Sequence, residues 1–175
     1  MIPVELSKHV LEQYRSSEEW AQVAQIADRL HEHLNTEATL ARIAEVNKPG
    51  RSSAAVQGTF LEFARQLGFE SESRGLFAAS DLALRPDYFL RLDSTGIILE
   101  VERGKTTINN MDLLDFWKCH LCQDADYLFL LVPQALRQND AKPPRNEFAT
   151  VDRRLSEFFK PHNYTNVRGL CVFGY

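Results

Sequence analysis

The chain has little that would staple, anchor or label it. Three cysteines in 175 residues are too few, and odd in number, for a disulfide scaffold. No apolar run comes near the roughly 20 residues that cross a bilayer, and no basic-then-apolar leader opens the sequence. The expectation is a cytoplasmic protein with no membrane association. Positive charge is not in excess: 20 Lys and Arg stand against 24 Asp and Glu, for a net charge of −4. That removes a general electrostatic case for binding nucleic acid, although Lys142, Arg145 and their neighbours leave the C-terminal part locally basic. Walker, G-x-G-x-x-G and G-x-S-x-G motifs are absent, and five histidines show no H-E-x-x-H spacing. His31 and His33 fall on different faces of a helix. Cys119, His120 and Cys122 invite a zinc reading, but the segment is apolar and helical in pattern. Only distant His162 and Cys171 are left to complete four ligands, so buried thiols are the expected state.

What remains is an ordinary globular composition, 44% hydrophobic and 25% charged, at a length suited to one domain. Residues 4–47 read as wholly helical, with apolar stripes Leu6, Val10, Leu11, Tyr14 and Trp20, Val23, Ala27, Leu30, Leu34. Ser16 and Glu19 fit a capping box, and Asn35 or Thr36 fits the next cap. The breaker 47–53 divides an N-terminal helical extension, residues 1–50, from an α/β core, residues 51–175, within one compact domain. A helix is expected over 53–67, ended by Gly68, then an edge strand from Phe69. The strands of a hairpin follow, then a helix capped by Asn109 or Asn110 and running to Cys122. Tyr127–Val132 is a strand buried on both faces. A helix over 146–159 and a strand over 167–173 complete the chain. The predicted order is an αβββαβ core with a C-terminal αβ addition on a mixed sheet.

The hairpin carries the chemistry. Arg85-Pro86-Asp87-Tyr88-Phe89-Leu90-Arg91-Leu92 and Ile97-Ile98-Leu99-Glu100-Val101-Glu102 are its strands. Residues two apart share a strand face, so Glu100 and Glu102 point the same way. With Ser94-Thr95 at the tip, Asp87 falls opposite Glu102. Three acids converging on a half-buried sheet are costly unless a cation compensates them. Magnesium prefers a few carboxylates and retained waters.

These residues resemble the PD-(D/E)XK nuclease superfamily, whose fold is shared by many type II restriction enzymes and Holliday junction resolvases. Pro86-Asp87 matches its PD, and Glu100-Val101-Glu102 lies where its (D/E)-x-K belongs. Gly58-Thr59-Phe60-Leu61-Glu62-Phe63-Ala64-Arg65-Gln66-Leu67-Gly68 resembles the pattern of its first helix. The resemblance covers about residues 53–132. It implies a restriction-endonuclease-like core and a divalent-metal-dependent nuclease acting on DNA with Mg²⁺ or Mn²⁺. Asp87, Glu100, the Val101 carbonyl and Glu62 would be metal ligands. The departure is Glu102, standing where lysine is usual. The activating role then passes to Glu102 as general base or to Lys105. Lys105, Lys118, Lys142 and Arg145 are candidate nucleic-acid contacts, and a homodimer is a further expectation. The rival reading is a nuclease-fold protein that no longer cuts and serves as a nucleic-acid-binding or protein-interaction module. In a third, Arg85, Arg91 and Arg103 simply pair with the acids.

Overall fold

In the computed structural model, residues 1–48, 50–71, 84–104, 106–136 and 144–175 are described. A six-stranded mixed sheet forms the centre. Its strands are β1 (Glu5–Val10), β2 (Glu70–Ser71), β3 (Tyr88–Arg91), β4 (Gly96–Val101), β5 (Tyr127–Val132) and β8 (Gly169–Gly174). They lie in the order β1-β8-β5-β4-β3-β2. β4, β5 and β8 run parallel, and the outer pairs are antiparallel. A small ribbon of β6 (Ala135–Leu136) and β7 (Arg145–Asn146) stands apart.

Helices cover both faces. On one lie α1 (Glu18–Leu34), α2 (Glu37–Val46) and α3 (Ser53–Gln66), whose Leu30, Ile43 and Phe60 pack with Leu99, Phe129 and Phe173. On the other, α4 (Met111–Leu121) and α5 (Glu147–Ser156) set Phe116, Val151 and Leu155 against Ile98, Leu128 and Leu170. Alternation along β4 and β5 therefore feeds two cores, which is why both strands are apolar at nearly every position. Gly96 opens β4 because the Phe89 ring crosses it: a Cβ there would meet Phe89 Cε2 at 2.3 Å. Gly68, at φ 101°, ends α3 in the left-handed region.

The order α3-β2-β3-β4-α4-β5, then α5 and β8, follows the expected succession of elements. The N-terminus does not. Residues 5–10 form an edge strand antiparallel to β8, so the wholly helical extension is corrected. Leu6 and Val10 fit helical spacing, but the open edge of buried β8 has backbone groups to satisfy, and pairing overrides the local pattern. Lys8 then reaches Asp28 on α1, while His9 reaches Asp152 on α5. The N-terminal segment is thus part of the sheet rather than an appendage.

Capping shifts by a residue. Ser17, not Ser16, caps α1 by accepting from Trp20 N–H at 3.0 Å. Thr36 caps α2, and Asn35 instead grips the backbone of Val4. Asn110 precedes α4 in the left-handed region without a side-chain cap; its Oδ1 accepts from Arg154. The strand expected from Phe69 is described only as Glu70–Ser71.

Candidate functional site

The hairpin tip is Asp93-Ser94, one residue earlier than the Ser94-Thr95 read from the sequence. Leu92 N–H donates to Thr95 O, and Tyr88 pairs with Leu99. The register thus differs by two residues, which sets Asp87 opposite Glu100 rather than Glu102. A shift of two preserves the faces, so all three acids still project toward α4. Asp87 and Glu100 clasp each other's strand. The Asp87 N–H donates to Glu100 Oε2 at 3.0 Å, and the Val101 N–H donates to Asp87 Oδ2 at 2.9 Å. Val101 therefore enters the site through its N–H.

Helix α4 adds two residues from above. Asp115 and Lys118, one turn apart, both turn inward, and Asp115 is only 2% exposed. Lys118 Nζ donates to Glu100 Oε1 and to Asp115 Oδ1, the latter at 3.1 Å. The carboxyls of Glu102 and Asp115 lie within hydrogen-bonding reach of each other. Among the described residues, four acids and one ammonium thus share the space between the end of β4 and α4.

The electrostatics show the surplus. Burial, then the charges of Asp115 and Asp87, push Glu100 up to about 8 against the pull of Lys118. Burial and the neighbouring acids Asp115, Glu100 and Asp87 push Glu102 up to about 8. Burial raises Asp115 as well. For Lys118 burial opposes the charge, but Glu100 and Asp115 outweigh it and hold the ammonium up. Two adjacent carboxyls cannot both ionise cheaply. The cluster therefore holds protons above the ordinary carboxylate range, and the strong neighbours of Glu102 are all acids.

A divalent cation fits this donor set. The centre has hard oxygen ligands and more negative charge than one lysine can offset. Asp115 Oδ2 is buried with no amide, hydroxyl or ammonium donor. Asp115 is within hydrogen-bonding reach of the Glu102 carboxyl, a contact that needs a proton. Among the described residues, no three His, Cys, Asp or Glu side chains are already drawn together as a ligand set. The acids are instead held by Lys118 and by backbone amides.

Other expected site residues lie elsewhere. Glu62 is exposed on α3 and lines a groove with His33 and Arg42. The buried side of α3 carries Val56, Thr59, Phe60 and Ala64. Two residues beyond Phe60 is the far side of a helix, and α3 covers the sheet face that Glu100 does not use. Arg145 is placed against Glu147 and the Thr107 hydroxyl. Lys105 and Lys142 lie outside the described residues. Arg91 pairs with Asp124, and Arg103 donates to the carbonyls of Lys48 and Arg51. Cys119, Cys122 and Cys171 are free and buried, with Cys171 on the opposite core from the other two.

Asp115 escaped the sequence reading, although an i, i+3 Asp–Lys pair on an apolar helix was a legible signal. Lys118, a candidate nucleic-acid contact from the sequence, is bonded to Glu100 and Asp115 in the structure. No family model, no curated protein and no solved structure matches the chain.

Proposed function

We propose that the protein is a divalent-metal-dependent nuclease cutting DNA phosphodiesters at Asp87, Glu100, Glu102, Asp115 and Lys118. One observation carries the reading: Lys118 arrives from α4 beside Glu100, supplying the cation that the hairpin motif lacks at Glu102. The succession of helix, three strands, helix and strand supports a restriction-endonuclease-like core, with the acids on its central hairpin.

Within this reading Asp87 and Glu100 hold Mg²⁺ or Mn²⁺, with Glu102 beside them. The bound ion offsets charge building on the phosphate and lowers the pKa of water. Glu102, pushed up to about 8, lies near the operating pH, as a general base should. Lys118 is placed to meet a phosphate oxygen with an ammonium, and Asp115 orients it. The Asp87–Val101 and Asp87–Glu100 clasps fix both ligand carboxylates, so little reorganisation is needed when charge develops.

The test is incubation with plasmid and single-stranded DNA in Mg²⁺ or Mn²⁺, beside Asp87→Ala and Glu100→Ala. Cleavage that both variants lose supports the reading, and cleavage that survives both overturns the site. The non-cutting interaction module has its own support. Leu114, Trp117 and Leu121 form an apolar stripe on α4, 55%, 49% and 49% exposed. Wild type that neither cleaves DNA nor binds metal favours that second reading.

A further inference from the structure

The two oxygens of Glu100 are both engaged. Oε2 accepts the Asp87 amide and Oε1 accepts the Lys118 ammonium, with Glu100 itself only 4% exposed. Lys118 is anchored a second time by Asp115 Oδ1. A cation seated on Oε1 of Glu100 would share that oxygen with the Lys118 ammonium, and one on Oε2 would lie beside it, in a site where Glu100 is 4% exposed. Like charges that close in a desolvated site repel strongly. The amide donor belongs to the hairpin backbone next to β3, whose pairing with β4 holds it in place. The lysine stem is flexible, with rotatable bonds along its length, and can leave.

We propose that Lys118 is an internal counter-ion of the acidic centre, bound to Glu100 in competition with a divalent cation, so that metal entry releases the lysine. This rests on the metal-site reading above and deepens it. The exchange couples two events. While the lysine is seated, it offsets the charge of Glu100 and occupies the place of a cation. Once a divalent ion is on the carboxylates, the ammonium is freed at the site's mouth, where an anionic phosphate would be its next partner. Lysine suits this duty better than arginine, being a compact point charge with no bidentate grip on a carboxylate. The apolar residues beside it on α4, Leu114 and Leu121 at i−4 and i+3, give its stem a surface to lie along when it moves.

Two measurements test it, both without nucleic acid and neither reading cleavage. In wild type carrying ¹³C,¹⁵N-labelled lysine, the Lys118 side-chain resonances are followed during Mg²⁺ titration. The proposal expects them to shift from a salt-bridged to a solvent-exposed signature in step with binding. In the second, Mn²⁺ affinity is measured by electron paramagnetic resonance for wild type and Lys118→Met. The variant should bind on the order of tenfold more tightly, because no ammonium competes and the unpaired acids need the ion. Lys118 resonances unchanged at saturating Mg²⁺, or equal or weaker Mn²⁺ binding by a folded Lys118→Met, would overturn it. The wild-type titration keeps the proposal testable if the variant does not fold. Failure here with intact metal-dependent cleavage sinks the counter-ion role and leaves the nuclease reading standing. Lysine release on metal binding without cleavage does the reverse.

Discussion

Two glutamate-centred networks lie at opposite ends of the same strands, and they are built on opposite charge balances. At the hairpin-turn end, Glu19 on α1 receives the Ser94 hydroxyl, the Tyr127 hydroxyl at 2.6 Å and Arg168 at 2.8 Å. Arg168 also pairs with Asp126 at 3.0 Å and lies over the Tyr14 ring. Burial works against the Glu19 charge, yet these donors prevail and hold its carboxyl below the usual range. At the other end Glu100 and Glu102 are pushed up to about 8, with one lysine among four acids in the described residues. The first arrangement fastens α1, the hairpin turn and β8 together. The second gathers acids around Lys118 on a rigid hairpin, the arrangement on which the proposed metal site rests. Burial and charge balance together separate the two: Glu19 is less buried and met by donors, whereas Glu100 is nearly fully buried and surrounded by acids.

The largest effect that tests this contrast is on activity. Asp87→Ala should lower Mg²⁺-dependent DNA cleavage on the order of a thousandfold, whereas Glu19→Ala should leave the rate per folded molecule within about twofold. Stability should respond the other way round. Glu19→Ala strands Arg168 and Tyr127 and should cost about 2 kcal/mol in urea unfolding. Asp87→Ala loses a clasp but relieves repulsion, so it should cost less than Glu19→Ala.

The pH dependence sharpens the comparison further. Glu100 and Glu102 hold protons in the folded chain up to about 8, against an ordinary value of 4.5. Between those limits the unfolded chain binds fewer protons, so their contribution makes stability fall as pH rises, with no further loss above about 8. Glu19 has the opposite sign: its lowered carboxyl contributes stability above its unfolded pKa, lost as pH falls through the folded value. Thermal unfolding from pH 4.5 to 8.5 should show the downward slope in wild type and a shallower one in Glu102→Gln. Saturating Mg²⁺ should flatten the wild-type slope, because the ion takes the place of the protons. The smallest effect expected is Ser94→Ala, which removes one of several donors to Glu19 and should cost about 0.5–1 kcal/mol.

The sequence made the strands of the acidic hairpin legible because their faces follow a period of two. Placing the turn one residue too late shifts the register by two, which changes which acid opposes Asp87 without moving any side chain to the wrong face. The contributions of α4 were harder to read. Nothing local to Asp115 or Lys118 says that their helix crosses over the end of β4; that follows from the crossover packing α4 onto the sheet. Glu62 shows the converse: its surrounding pattern was suggestive, but its helical position faces His33 and Arg42. Residues 5–10 were misread for a related reason, since the edge of β8, far along the chain, decides whether they extend or coil.

Calorimetric titration of Mg²⁺ into wild type, Asp87→Ala and Glu19→Ala tests the central claim most directly. The account predicts saturable binding to wild type and to folded Glu19→Ala, and its loss in folded Asp87→Ala. Binding that Asp87→Ala retains at wild-type affinity, or no binding to wild type at all, would contradict it.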